Sequence, residues 1–135
     1  VVAHPFHHHF DPVHFRRNGL KPFDLTPEQA AELPVFKLVD DVEVSNSCNT
    51  PRENVFALKV ARILGKPGFA GSDAHSRTGI GSSAVMFEKQ LSSVDEFLAE
   101  LHAGRYRPTQ GLHVDSFRLF EDIAREFEES AAAAS

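Results

Sequence analysis

The chain contains no tryptophan, one tyrosine, one methionine and one cysteine among its 135 residues. The single cysteine, Cys48, excludes an internal disulfide and makes a cytosolic location the default expectation. Without tryptophan, and with one tyrosine, there is no aromatic platform on which bases could stack. Positive charge is also in short supply: 14 Lys and Arg face 19 Asp and Glu, for a net charge of -5 at pH 7. That balance argues against nonspecific nucleic-acid binding and leaves nucleic acid open only as a substrate. It does not exclude a phosphorylated substrate, because a bound metal can make a cleft locally positive. No apolar run approaches the roughly 18 residues of a membrane span. The first residues, Val1-Val2-Ala3-His4-Pro5, lack the basic start and apolar stretch of a signal peptide.

An initiator methionine is missing too, and the chain opens directly on a strand-like Val-Val-Ala. Residue 1 is therefore not expected to be a natural start. The run Ser130-Ala131-Ala132-Ala133-Ala134-Ser135 reads as a frayed end or an appended remnant. Residues 1–130 are thus expected to form one domain, with 131–135 as a flexible tail.

What is present is clear helix punctuation. Thr26-Pro27-Glu28-Gln29, Thr50-Pro51-Arg52-Glu53 and Ser93-Val94-Asp95-Glu96 each read as a capping box, with a hydroxyl at the N-cap and a Glu or Gln three residues on. Pro34, Gly65 and Gly104 are the matching stops. A fourth helix is expected from about Ser116 to Glu129, where Phe117, Phe120, Ile123, Ala124 and Phe127 recur at three- and four-residue steps. Between the helices lie apolar, β-branched runs at Val1–His4, Val39–Val44, Gly68–Gly71 and Ala84–Phe87. Strands alternating with helices predict an α/β fold of parallel βα units. The stretch from Phe6 to Leu25 has neither periodicity, so it reads as a long loop, functional or disordered. The twelve phenylalanines are expected mostly in the core.

In βα folds the chemistry collects at the C-terminal ends of strands. Here the strand ends carry His4-Pro5, Glu43-Val44-Ser45-Asn46 and Ser72-Asp73-Ala74-His75. Asp-x-His at such an end can direct a carboxylate oxygen and an imidazole nitrogen into one pocket, a mix suited to Zn, Mn or Fe. By residue type alone, most Asp-x-His pairs bind nothing. Asp73 would then be a turn residue and His75 a surface histidine. Their place after a buried Gly-Phe-Ala-Gly strand favours the metal reading. His4 supplies a second imidazole, or simply closes its strand.

His7, His8, His9 and His14 invite a metal-cluster reading, but consecutive histidines point in different directions, so at most one or two could share an ion. A loop lining a cleft, with one imidazole such as His7 reaching substrate, fits better. Among the arginines, Arg77 is the best phosphate ligand because it directly follows the Asp-x-His segment. Arg16, Arg17, Arg105 and Arg107 read as solvated surface groups, and His102 and His113 as structural or exposed. Cys48 is as readily a small packed residue as a reactive one.

These residues together resemble the PHP superfamily, named for polymerase and histidinol phosphatase. The likeness is carried by Val2-Ala3-His4-Pro5-Phe6, Val42-Glu43-Val44-Ser45-Asn46-Ser47, Asn54 with Leu64-Gly65-Lys66-Pro67, and Ala70-Gly71-Ser72-Asp73-Ala74-His75 with Gly79. It covers roughly residues 1 to 110. The resemblance implies the C-terminal part of a distorted (β/α)7 barrel whose complete site holds two or three divalent transition metal ions (Zn, Mn or Fe). It implies metal-dependent phosphoesterase activity on a phosphorylated small molecule or nucleotide, with metal-activated water as nucleophile. His4 then corresponds to the ligand of the His-Pro motif, and Asp73 and His75 to the final Asp-x-His pair, both catalytic and metal-binding, whose members contact different ions in the family. Glu43 and Asn46 match a strand end that lines the pocket, with Asn46, His7 and Arg77 facing substrate. The family's early His-x-His motif and further ligands precede the His-Pro motif, so the N-terminal half of the domain is the implied partner and the isolated chain is expected to be inactive. Two other readings share these residues: a non-catalytic, partner-binding half of a larger assembly, and a related metal-dependent C–N hydrolase.

Overall fold

A computed structural model describes residues 1–134. The elements are α1 (Pro12–Asn18), α2 (Pro27–Ala31), β1 (Glu43–Asn46), α3 (Pro51–Ile63), β2 (Phe69–Gly71), β3 (Ser83–Phe87), α4 (Val94–His102), β4 (Tyr106–Gln110), β5 (Arg118–Leu119) and α5 (Phe120–Ala133). The architecture is mixed α/β with two small sheets, and among the described residues the strands do not close into a barrel.

β1 and β2 pair in parallel, and Val2 forms a parallel bridge to Val42 just before β1. The first expected strand is thus reduced to a single bridge, in which Val2 donates to Asp41 and accepts from Glu43, each at 3.0 Å. The second expected strand is shifted toward the C-terminus. A 3-10 turn at Pro34–Lys37 takes up the chain before it, and all four residues of β1, polar ones included, are buried. The three parallel segments end at one edge of the sheet, as the βα pattern predicts.

The second sheet departs from that pattern. β3, β4 and β5 are antiparallel, in that order. The chain leaves β3 at Phe87 and returns through α4 and Gly104 to Tyr106, directly opposite Phe87, so the return strand must run backwards. Pro108 lies in the middle strand, where proline is disfavoured because it cannot donate to the ladder. The ladder shows why it is tolerated. Glu88 donates to Arg105 and Gly111 to Ser82, so the bonded pairs fall on even-numbered β3 residues. Pro108 faces Val85 in a non-bonded pair, and its missing N–H points away from β3. β5 pairs only with Thr109 and Gln110 and demands nothing of it.

The helix signals hold where they are strongest. Thr26 and Thr50 form complete capping boxes with Gln29 and Glu53. Ser93 accepts from Glu96 N–H, but the Glu96 carboxylate turns to Ser92 instead, so this box is half made. Pro34 opens a 3-10 turn rather than only closing a helix. The last helix starts four residues later than its periodicity suggests, because Arg118 and Leu119 are drawn into β5, and it continues through the alanines to Ala133. Ser135, part of the expected tail, lies outside the described residues.

The core is built from Val42 and Val44 of the parallel sheet, Leu58, Val60 and Ala61 of α3, and Phe120 and Ala124 of α5. Each fully buried valine or leucine contributes about 1.5–3 kcal/mol. Phe6 anchors the expected long loop into this core, packing against Phe23, Phe36 and Phe56 at centroid distances of 4.8 to 6.0 Å. That anchor, together with the short α1 capped by Asp11, makes residues 6–25 a structured segment. Of the twelve phenylalanines, Phe6, Phe36 and Phe120 are buried; Phe97, Phe117 and Phe127 are exposed.

Candidate metal centre

The common C-terminal edge of the parallel segments gathers polar side chains on a buried base. Glu43 is buried, and its Oε2 accepts from the His4 main-chain N–H at 2.6 Å and from Asn46 Nδ2 at 3.0 Å. Its other oxygen takes up the space that a Cβ on Gly71 would need. Glycine at 71 is what lets the carboxylate reach across to β2. Asn46 is fixed on every side. Its Oδ1 accepts from Cys48 N–H at 2.8 Å, its main-chain N–H donates to Asn54 Oδ1, and its carbonyl accepts from Asn54 Nδ2. Its amide nitrogen also reaches Asp73 Oδ2 at 3.5 Å.

Above this base the β2 end is open. Asp73 takes φ 48, the left-handed region that aspartate enters more readily than most residues, and the chain turns out of the strand there. Asp73 Oδ1 and His75 Nε2 stand 3.6 Å apart, and the His75 side chain is 85% exposed. Cys48, in the turn after β1, donates its thiol to the Asp73 carbonyl at 3.3 Å. Donor atoms of Cys48, Asp73 and His75 all lie within 4.8 Å of one another, the one such trio of potential metal ligands among the described residues.

This set suits a divalent ion. Two ligand atoms each about 2.0–2.1 Å from a tetrahedral ion lie roughly 3.3 Å apart, close to the Asp73–His75 separation and too far for a direct hydrogen bond. The outer support fits as well, since Asn46 holds the Asp73 carboxylate from below, as a metal-binding carboxylate requires.

The other expected site residues are distributed around this trio. His4 is exposed at φ 27 and is tied to the base through its main chain, while its imidazole lies outside the trio. His7 Nδ1 is 2.7 Å from Asn49 Oδ1, and Asn49 in turn donates to Asn54. With its proton on Nδ1, His7 keeps Nε2 as a free acceptor. The ring packs edge-on to His4 at 5.6 Å. Of the remaining histidines, His8 lies against His7 at 3.8 Å and stacks on His14 at 4.8 Å, while His9 turns back to the His7 carbonyl. Arg77 is exposed at the head of a 3-10 turn, Arg77–Gly79, just past the trio. Arg105 is engaged elsewhere, in a two-pronged pair with Glu100.

Two hollows flank the site. One, of about 480 Å³, runs beside His7, His8, Arg52 and Cys48. The other, of about 400 Å³, lies between the β1 end and α5 and shares Asn46 and Ser47 with the site. The residues that sequence reasoning undervalued are Cys48, Asn49 and Asn54. The signal for Cys48 was available: it follows β1 within two residues, in the same strand-end position that singled out Asp73.

Residues 51–106 match the family described as PHP-associated. That stretch spans α3, β2 with Asp73 and His75, β3 and α4, and it supports reading the chain as the C-terminal portion of a PHP domain. No curated protein and no solved structure matches the chain.

Proposed function

We propose that this chain, PHP-associated over residues 51–106, is the C-terminal portion of a metal-dependent phosphoesterase. The observation that carries this reading is the pairing of Asp73 with His75 at 3.6 Å on a parallel-sheet edge, over a buried Glu43–Asn46 base. Asp73 holds one divalent ion (Zn, Mn or Fe), and His4 and His75 serve the others, together with ligands from the N-terminal half of the domain. That half also completes the (β/α)7 barrel. A bound ion of this kind lowers the pKa of its water so that hydroxide is present near neutral pH, and it offsets charge on the attacked phosphorus.

The chain's own residues do the positioning. Asn46 holds the Asp73 carboxylate in place. His7, its Nδ1 engaged by Asn49, lines the hollow that Cys48 and Arg52 also line. Arg77 supplies a guanidinium fork to a phosphate of the substrate, a phosphorylated small molecule or nucleotide. No helix among the described residues is long and apolar enough to cross a membrane, and a cytoplasmic enzyme goes with this reading.

The test is metal-dependent hydrolysis of a panel of phosphoesters by the parent protein and its Asp73→Ala variant. Loss of metal-stimulated turnover in the variant supports the assignment. Full activity in Asp73→Ala removes it, and turnover confined to C–N substrates moves the parent to the related hydrolase class.

A further inference from the structure

The hollow between the β1 end and α5 has two unlike walls. One is polar and belongs to strand ends and the loops that leave them, with Asn46, Ser47 and Gln110 on it. The other is the apolar face of α5 that carries Phe120, Ile123 and Phe127. The polar wall is clamped from end to end. Ser82 Oγ donates to Ser47 Oγ at 2.6 Å, and Ser47 donates to the Ser72 carbonyl. Farther out, Gly111 N–H donates to the Ser82 carbonyl at 3.0 Å and His113 N–H to the Gly81 carbonyl at 3.3 Å. The turn after β4 needs glycine at 111, where φ is 85 and a Cβ would run into the Ser116 carbonyl. Hydrogen bonds therefore fix this wall before anything binds, and they link it to Ser72, next to Asp73.

Charge decides what such a hollow can take. No Asp, Glu, Lys or Arg is among the described residues that line it, whereas the hollow beside His8 includes Asp11, Arg52 and Glu53. A charged group placed there would lose water without gaining a counter-charge. At about 400 Å³ the hollow is of the size that holds small molecules, and it pairs an apolar lining with a few polar groups as such sites do. We infer that it receives the organic half of the phosphoester, a neutral group bearing an aromatic ring, while the phosphate stays at Asp73. The ring packs on Phe127 and Ile123, and its polar edge meets the opposite wall, where Gln110 offers a side-chain amide. This rests on the phosphoesterase reading and adds the substrate class: aromatic phosphoesters, in preference to polyol phosphates and to substrates with a second charged group.

The experiment has two arms. In the first, the 135-residue chain is titrated with naphthol, which has the ring and no phosphate, and its amide resonances are followed by NMR. Saturable shifts are expected at Asn46, at Gln110 and along residues 120–127, with none on adding glycerol. Phe127→Glu should abolish them and Phe127→Leu keep them. No shifts, shifts centred elsewhere, or shifts that persist in Phe127→Glu overturn the inference. In the second arm the parent protein is assayed on naphthyl phosphate and glycerol phosphate. The ratio of their kcat/KM values is expected to favour the naphthyl ester, to fall about tenfold in Phe127→Glu, and to recover in Phe127→Leu. A ratio that Phe127→Glu leaves unchanged overturns the inference. Turnover of neither ester overturns the phosphoesterase reading instead, and naphthol binding then decides by itself what the hollow accepts.

Discussion

Two aspartates sit at opposite ends of the same parallel sheet, and their surroundings could hardly differ more. Asp41, just before β1, is buried and saturated. Its Oδ1 accepts from Val42 N–H at 2.8 Å and Gly68 N–H at 3.1 Å, and its Oδ2 accepts from the Tyr106 hydroxyl. Burial and the Asp41 charge both drive the Tyr106 hydroxyl pKa well above its ordinary value, so it remains a donor. Asp73, just past β2, is partly exposed and has only Asn46 at 3.5 Å and His75 at 3.6 Å beside it. A buried carboxylate must spend its lone pairs on donors within the fold. One that keeps most of its lone pairs free, beside an imidazole and a thiol, is placed to spend them on a ligand. The first aspartate joins β4 to the parallel sheet; the second is left open to a ligand.

That contrast can be broken by substitution. The largest effect is expected at Asp41→Ala, which orphans two amides and a hydroxyl in the interior and lowers unfolding stability by about 2–4 kcal/mol. Denaturant melts would show it, with metal affinity per folded molecule unchanged. Asp73→Ala is the mirror image. Zinc affinity by competition titration falls by about a hundredfold, while stability falls by only about 1 kcal/mol, the cost of placing alanine at the left-handed φ of this position. Next comes Tyr106→Phe, which leaves Asp41 Oδ2 without its donor and costs about 1–3 kcal/mol. Glu43→Gln keeps the shape of the base but weakens its hold on Asn46 and the His4 amide. It should reduce metal affinity by about tenfold with the fold intact.

The smallest effect is a pH dependence remote from both aspartates. The Arg105 fork, helped by Lys89, pulls the Glu100 carboxyl down to about 2. Its folded value lies below its unfolded one, so its stabilising contribution is present above the unfolded value, about 4.3. It is lost as pH falls toward 2. Melts of wild type and Glu100→Gln should differ at pH 6 and converge near pH 2. A gap that widens in acid would reverse the sign of this account.

Much of the site was legible because strand ends announce themselves. Gly71-Ser72-Asp73-Ala74-His75 follows a short apolar run, and Glu43 and Asn46 close another. The parallel pairing that brings these ends together followed from alternation of strands with capped helices. What the sequence hid was non-local. The antiparallel second sheet depends on which side of β4 the Pro108 nitrogen faces, a question of register that no single segment answers. The order of residues 6–25 depends on Phe6 finding Phe36 and Phe56, contacts 30 and 50 residues away in sequence. Cys48 was ambiguous because its meaning comes from Asp73, 25 residues on, and only the stitched loops bring them together.

The central claim is that the open end of the sheet holds a metal ion through Asp73 and His75. Elemental analysis of the purified parent protein, beside its Asp73→Ala/His75→Ala double variant, tests it most directly. The account predicts bound zinc, manganese or iron in the wild type and at least one ion fewer per chain in a folded double variant. An unchanged metal content in the double variant would contradict it.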